Sequence, residues 1–194
     1  MRIRLVCTGT LPLLMHNVRL ASPRDPFARK LKELNSKVKK TEEDLLEIAR
    51  VEFYGGMYHD AEFGPYIPPF NLLRCITSGA RASRGGKKVE RGVAIAAPIL
   101  PLLYEGPRDL EKLWLDDAHV DIRSAAVQRS RVDRCRPIFR DWAIEADLVL
   151  DPGIITLEEF KSFAEAAGKF EGLGDFRAQF GRFDTEVTVL AEDD

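Results

Sequence analysis

Residues 2–9 alternate: Ile3, Leu5 and Cys7 occupy one set of positions, with Arg2, Arg4 and Val6 on the other. A period of two predicts a first strand with one strongly polar side, ended by Gly9 and Pro12. A loop holding Asn17, Ser22, Pro23 and Pro26 follows, then a lysine-rich helix over 26–39. Thr41 and Asp44 form a capping box for a second helix, whose apolar face runs through Leu45, Leu46, Ile48, Ala49 and Phe53 to Gly55 and Gly56. Residues 63–69 are predicted extended, because proline fixes its own φ and pushes its predecessor out of the helical region. Helical spacing returns over 71–82 with Leu72, Leu73, Ile76 and Ala80 on one side, and 83–88 is a flexible basic loop.

The second half reads mostly as sheet. Short strands are predicted over 99–104 and 119–127. The clearest spans 136–150, with Trp142, Ile144, Ala146, Leu148 and Leu150 on one face and Asp141, Glu145 and Asp147 on the other. Asp151-Pro152-Gly153 is a turn, and Thr156 with Glu159 caps an amphipathic helix through Phe160, Phe163, Ala164 and Ala167. A glycine-rich segment leads to a last strand over 183–190. The skeleton is βαββαβ, an α+β, ferredoxin-like antiparallel sheet in one domain over 1–194, with 26–103 as a helical and loop insertion in the first crossover. Such a sheet leaves one face open, which RRM-type proteins use for single-stranded nucleic acid.

Composition narrows the class. With 45% hydrophobic residues, 11 Phe, 4 Tyr and 2 Trp, the 194-residue chain has material for a sizeable core and is neither disordered nor a disulfide framework. The longest apolar run, 93–103, carries two prolines and falls short of the ~20 residues of a membrane helix. No continuous apolar signal core opens the chain, and Cys7, Cys75 and Cys135 lack paired spacing. These features point to reduced thiols and a cytoplasmic protein.

A net charge of −2 hides segregation: 24–40, 74–91 and 129–140 are basic, while the acids collect in 42–62, 105–121 and 141–194. That separation allows a basic groove, with solvated loops as the plainer reading, and the pI near 6.0 is low for a nucleic-acid-binding domain. Two constellations could line a groove. Across 128–137, Arg129, Arg131, Arg134 and Arg136 crowd a predicted hairpin tip, each offering a forked donor set for phosphate. Between 168 and 183, Gly168, Gly172, Gly174 and Gly181 interleave with Phe170, Phe176, Phe180 and Phe183 and with Arg177 and Arg182. Glycine N–H groups there could cradle a phosphate while phenylalanines stack on bases; a helix cap and glycine turn over core phenylalanines would give the same string. A third set, Asp117, His119 and Asp121 at i, i+2 and i+4, has metal-ligand spacing but also suits a strand's solvent face, so no metal or cofactor is expected.

The segment Gly172-Leu173-Gly174-Asp175-Phe176-Arg177 with Gly181-Arg182-Phe183, placed between the last helix and last strand, resembles the repeat-associated mysterious protein (RAMP) superfamily of CRISPR systems. Within it the likeness is to the backbone subunits that polymerise along guide RNA, and the 13–17 turn is similar more loosely. The resemblance implies a CRISPR-like backbone protein, or a stand-alone phage-encoded relative, that holds single-stranded RNA or DNA and self-associates as a homo-oligomer. The contacts would come from Arg81, Arg84, Lys87 and Lys88, from Arg129, Arg131, Arg134 and Arg136, and from Gly172, Gly174, Arg177 and Arg182. It also implies an alternative, a RAMP-like endoribonuclease using His16 or Asp25. A non-enzymatic structural assembly protein is the other alternative.

Overall fold

The structure, a computed structural model, describes residues 1–127 and 130–191, with the backbone alone over 125–127 and 130–132. In chain order the elements are β1 (Arg2–Gly9), β2 (Leu13–Leu14), α1 (Pro26–Asn35), α2 (Glu42–Gly56), β3 (His59–Asp60), β4 (Gly64–Ile67), α3 (Pro69–Gly79), α4 (Gly86–Gly92), β5 (Val93–Ile95) and β6 (Leu100–Pro101). They continue with α5 (Leu110–Trp114), β7 (Val120–Val127), β8 (Ser130–Phe139), β9 (Ala143–Leu150), α6 (Leu157–Ala166) and β10 (Phe183–Val189). No helix among the described residues is long and apolar enough to cross a membrane.

The chain divides into two compact units, Met1–Leu13 with Pro65–Glu105 and Arg140–Asp194, and Leu14–Gly64 with Gly106–Phe139. Residues 26–103 are therefore shared between the two.

The first unit is built on an antiparallel sheet of order β10-β1-β9-β5. The alternation in β1 and β9 dictates its inner face: Ile3, Leu5, Cys7, Ile144, Ala146, Leu148 and Leu150 are all buried. Leu72, Cys75 and Ile76 of α3 and Phe160, Phe163 and Ala164 of α6 are buried with them. Each such Leu, Ile or Phe contributes ~1.5–3 kcal/mol by leaving water. The outer face follows from the same register. Arg4 pairs with Asp147 through Nε at 2.7 Å and Nη2 at 2.9 Å, and Val6 stands opposite Glu145 and Glu186, with Thr8 opposite Asp184. This face carries four carboxylates and no aromatic, so it lacks the stacking platform of an RRM-type sheet.

The second unit packs α2 against β8 of the hairpin β7–β8, and α1 against α2. Asp25 caps α1 by accepting from the Phe27 N–H at 2.9 Å, and Pro26 takes the first helical position. Thr41 and Asp44 close their capping box on α2. Between the helices lie Leu34, Ile48 and Val51, with Phe27 and Leu31 against them. Farther along α2, Phe53 meets Trp114 edge-on, ring centroids 5.4 Å apart.

Four local expectations are corrected. The strand read over 136–150 is two strands, β8 and β9, separated by a bend at Arg140 and Asp141. Of the arginines read as a hairpin tip, Arg131, Arg134 and Arg136 fall within β8, where Arg134 stands opposite Arg123 and Arg136 opposite Asp121. Asp117 and His119 sit in a 3-10 turn before β7, so the strand-face metal set does not form, and no metal-ligating cluster occurs among the described residues. The basic loop is short, because α4 begins at Gly86.

Candidate functional site

Helix α3 begins behind Pro68 and Pro69 and carries Phe70, Leu73, Arg74 and Thr77 on one stripe, continued by Arg81. With Glu90 of α4 they line a groove of about 170 Å³. Phe70 stays 66% exposed. The helix tightens into a 3-10 turn over Ala80–Ser83 and ends on Arg84, which holds a left-handed φ of 56° with its N–H on Arg81 O at 2.9 Å. A non-glycine residue there costs about 1–2 kcal/mol, a strain that concentrates at functional sites. Arg81, Arg84 and Lys87 are exposed and form no ion pair among the described residues. Lys88, by contrast, is paired with Glu159.

The inner side of α3 touches the glycine segment: the Cys75 thiol donates to Gly172 O at 3.2 Å. Burial pushes that thiol's pKa up to about 12, so it is no nucleophile at neutral pH. The segment is closed by its own backbone. Gly172 N–H bonds to Ala167 O at 2.9 Å, Leu173 N–H to Gly181 O at 2.8 Å, and Gly181 N–H to Pro12 O at 2.8 Å. Gly172 (φ 74°) and Gly181 (φ 70°) lie in the left-handed region, and a Cβ on Gly181 would sit inside the Leu173 carbonyl. These N–H groups are consumed internally, so Gly172 and Gly181 shape the loop and do not cradle an anion with their amides.

What the loop presents outward is different. Phe170 is 62% exposed and Phe176 41%, the latter at φ 51° with its ring edge-on to Phe180. Lys169 Nζ lies 5.5 Å from the Phe170 centroid. Phe170 and Phe176, with Glu171, Gly174, Asp175, the exposed Arg177 and Ala178, border a hollow of about 450 Å³. Arg182 turns inward, Nε to Ala178 O at 2.6 Å.

In the second unit Arg134 of β8 meets helix α2. Glu52 of α2, only 5% exposed, accepts from Arg134 and from the Cys135 N–H at 2.8 Å. Arg136 is 9% exposed. The backbone of Arg131 belongs to β8, while Arg129 lies outside the described residues. Burial, then Glu52 and Asp121, push the Cys135 thiol up to about 12. Arg134, Arg136 and Glu52 border a cavity of about 280 Å³ that His16 also lines. Glu52 escapes a motif search, but one signal is present: it is a carboxylate at i+4 from Ile48, on the apolar stripe of α2.

The two catalytic candidates differ. Asp25 is bound twice, to the Phe27 N–H and to Arg19 Nε at 2.8 Å. Burial works against its charge, but Arg19 and the Phe27 N–H outweigh it and hold its pKa below the ordinary value. That suits a cap and not a base. His16 is exposed at the cavity. Of the other histidines, His59 Nε2 lies 2.8 Å from Arg108 O, and His119 is buried with Nδ1 3.2 Å from Ile138 O.

The sequence matches no protein-family model and no curated protein.

Proposed function

We propose that the chain is a single-stranded nucleic-acid-binding protein whose binding surface is α3, the turn after it and the glycine segment packed on it. One observation carries the reading: exposed aromatics and exposed cations occur together twice, Phe70 with Arg74 and Arg81 along α3, followed by Arg84 and Lys87, and Phe170 and Phe176 with Arg177 in the glycine segment. Aromatic faces give each stacked base ~1–3 kcal/mol irrespective of sequence, and the surrounding cations neutralise the backbone. Support for the ferredoxin-like reading comes from the strand order of the first unit, last-first-third-second, with helices between first and second and between third and last. Because the sheet's outer face is acidic, the strand runs over the helical side. Self-association along it belongs to the same reading.

The test is fluorescence anisotropy of a labelled single strand of about 30 nucleotides, RNA and DNA in parallel, at about 50 and 200 mM salt. Binding weakens about tenfold or more between the two salts, and a preference between the strands names the substrate. Phe170→Ala with Phe176→Ala weakens both strands while the fold, followed by circular dichroism, is kept. Absence of binding at the lower salt overturns the proposal.

A further inference from the structure

The second unit holds a cavity that shares no lining residue with the strand surface proposed above. Part of its lining is apolar: Leu20 and Ala21 from the 3-10 turn after His16, and Leu31 from α1. The rest of the lining is His16, Glu52, Arg134, Cys135 and Arg136. Two arginines and one carboxylate are thus among the lining residues, and both Glu52 oxygens are already engaged, by Arg134 and by the Cys135 N–H. That engagement also orients Arg134 before any ligand arrives, which lowers the ordering cost of binding.

The lining selects among ligands. A metal ion is disfavoured by two guanidinium groups and by a Cys135 thiol kept protonated. A wholly apolar ligand would strand buried charge. A polymer does not fit: about 280 Å³ lies at the lower edge of small-molecule pockets, room for one compact molecule. What suits both kinds of lining residue is an anion with a flat or apolar body, and forked guanidinium donors match a phosphate in particular. We propose that this cavity binds a small phosphorylated molecule of nucleoside-monophosphate size, its phosphate held by Arg134 and Arg136 and its ring against Leu20, Ala21 and Leu31.

The proposal does not depend on strand binding and is tested without it. The full chain is titrated calorimetrically with the common nucleoside monophosphates, the matching unphosphorylated nucleosides and inorganic phosphate. One molecule of monophosphate binds per chain, and both the nucleoside and phosphate alone bind about tenfold or more weakly, since a hydrogen-bonded charge and an apolar contact are each removed. Arg136→Met loses about tenfold or more in affinity. Because Arg136 is buried, a second variant guards against misfolding: Ala21→Phe, at an exposed rim position, fills the apolar side, keeps the melting temperature and abolishes binding. The proposal is overturned by no monophosphate binding to the folded chain up to millimolar concentration. It is overturned equally by nucleoside or phosphate binding as tightly as the monophosphate, or by unchanged affinity in Ala21→Phe.

Discussion

Arginine has opposite fates in the two units. On β8, Arg134 and Arg136 alternate along a strand that faces α2, and α2 supplies a buried carboxylate, so Arg134 is drawn inward and the pair organises a cavity. Around α3, Arg81, Arg84 and Lys87 lie where the chain changes direction from helix to 3-10 turn to helix, and Arg177 lies in a closed loop; all four remain on the surface. The charge density per residue is similar in sequence. What differs is whether a packed neighbour offers a carboxylate at the right depth. A run of arginines is therefore a statement about binding only after the elements beside it are known.

The sharpest break of that comparison removes the carboxylate. Glu52→Ala leaves Arg134 and the Cys135 N–H without their acceptor and costs about 3–5 kcal/mol, read from urea unfolding. A loss below about 1 kcal/mol would mean that Arg134 resembles the surface cations after all. Next in size is Gly181→Ala in the loop that presents Arg177. The added Cβ would meet the Leu173 carbonyl at a left-handed φ, so it costs about 3 kcal/mol, whereas Gly174→Ala costs about 1 kcal/mol. Equal costs at the two positions would remove the argument that the loop is held shut by its backbone.

The surface cations are tested by their salt dependence. Converting Arg81, Arg84 and Lys87 together to Ala lowers the salt slope of single-strand binding by about 2, three contacts at roughly 0.7 each. Arg134→Ala leaves that slope unchanged and lowers stability instead. If Arg134→Ala takes as much from the slope as the triple variant, the inward-outward distinction fails.

Much of this was legible from residue pattern. Capping boxes at Thr41 and Thr156, the alternation of β1 and the buried face of β9 are local features, set by neighbours three residues apart or fewer, and the helices and strands stand where those patterns place them. The join between β8 and β9 was not, because Arg136, Ile138, Trp142 and Ile144 keep the same parity through the bend at Arg140, and a period of two is blind to a turn that preserves phase. The glycine segment showed both its possible uses but not their division. Only geometry assigns the amides of Gly172 and Gly181 to the loop and leaves Phe170 and Phe176 outside. Glu52 was hidden for the same reason: its partners lie 82 and 83 residues away.

Arg19 is the intermediate case, and it sharpens the comparison most finely. Its Nε pairs with Asp25, which also caps α1, and its guanidinium lies 4.7 Å from the Phe27 centroid, so it is captured without being buried. Asp25→Asn keeps a capping oxygen and removes the charge, so the loss at neutral pH is about 0.5 kcal/mol. The folded pKa of Asp25 lies below the ordinary value of 3.8, so the folded chain binds this proton more weakly than the unfolded one. Its stabilisation is present in full above the ordinary value and is lost as pH falls through the folded value. The gap between wild type and Asp25→Asn in urea melts should therefore be open at neutral pH and close as the pH drops below 3.8. A gap of the same size at both ends would show that the cap, and not the Arg19 pair, is what Asp25 contributes.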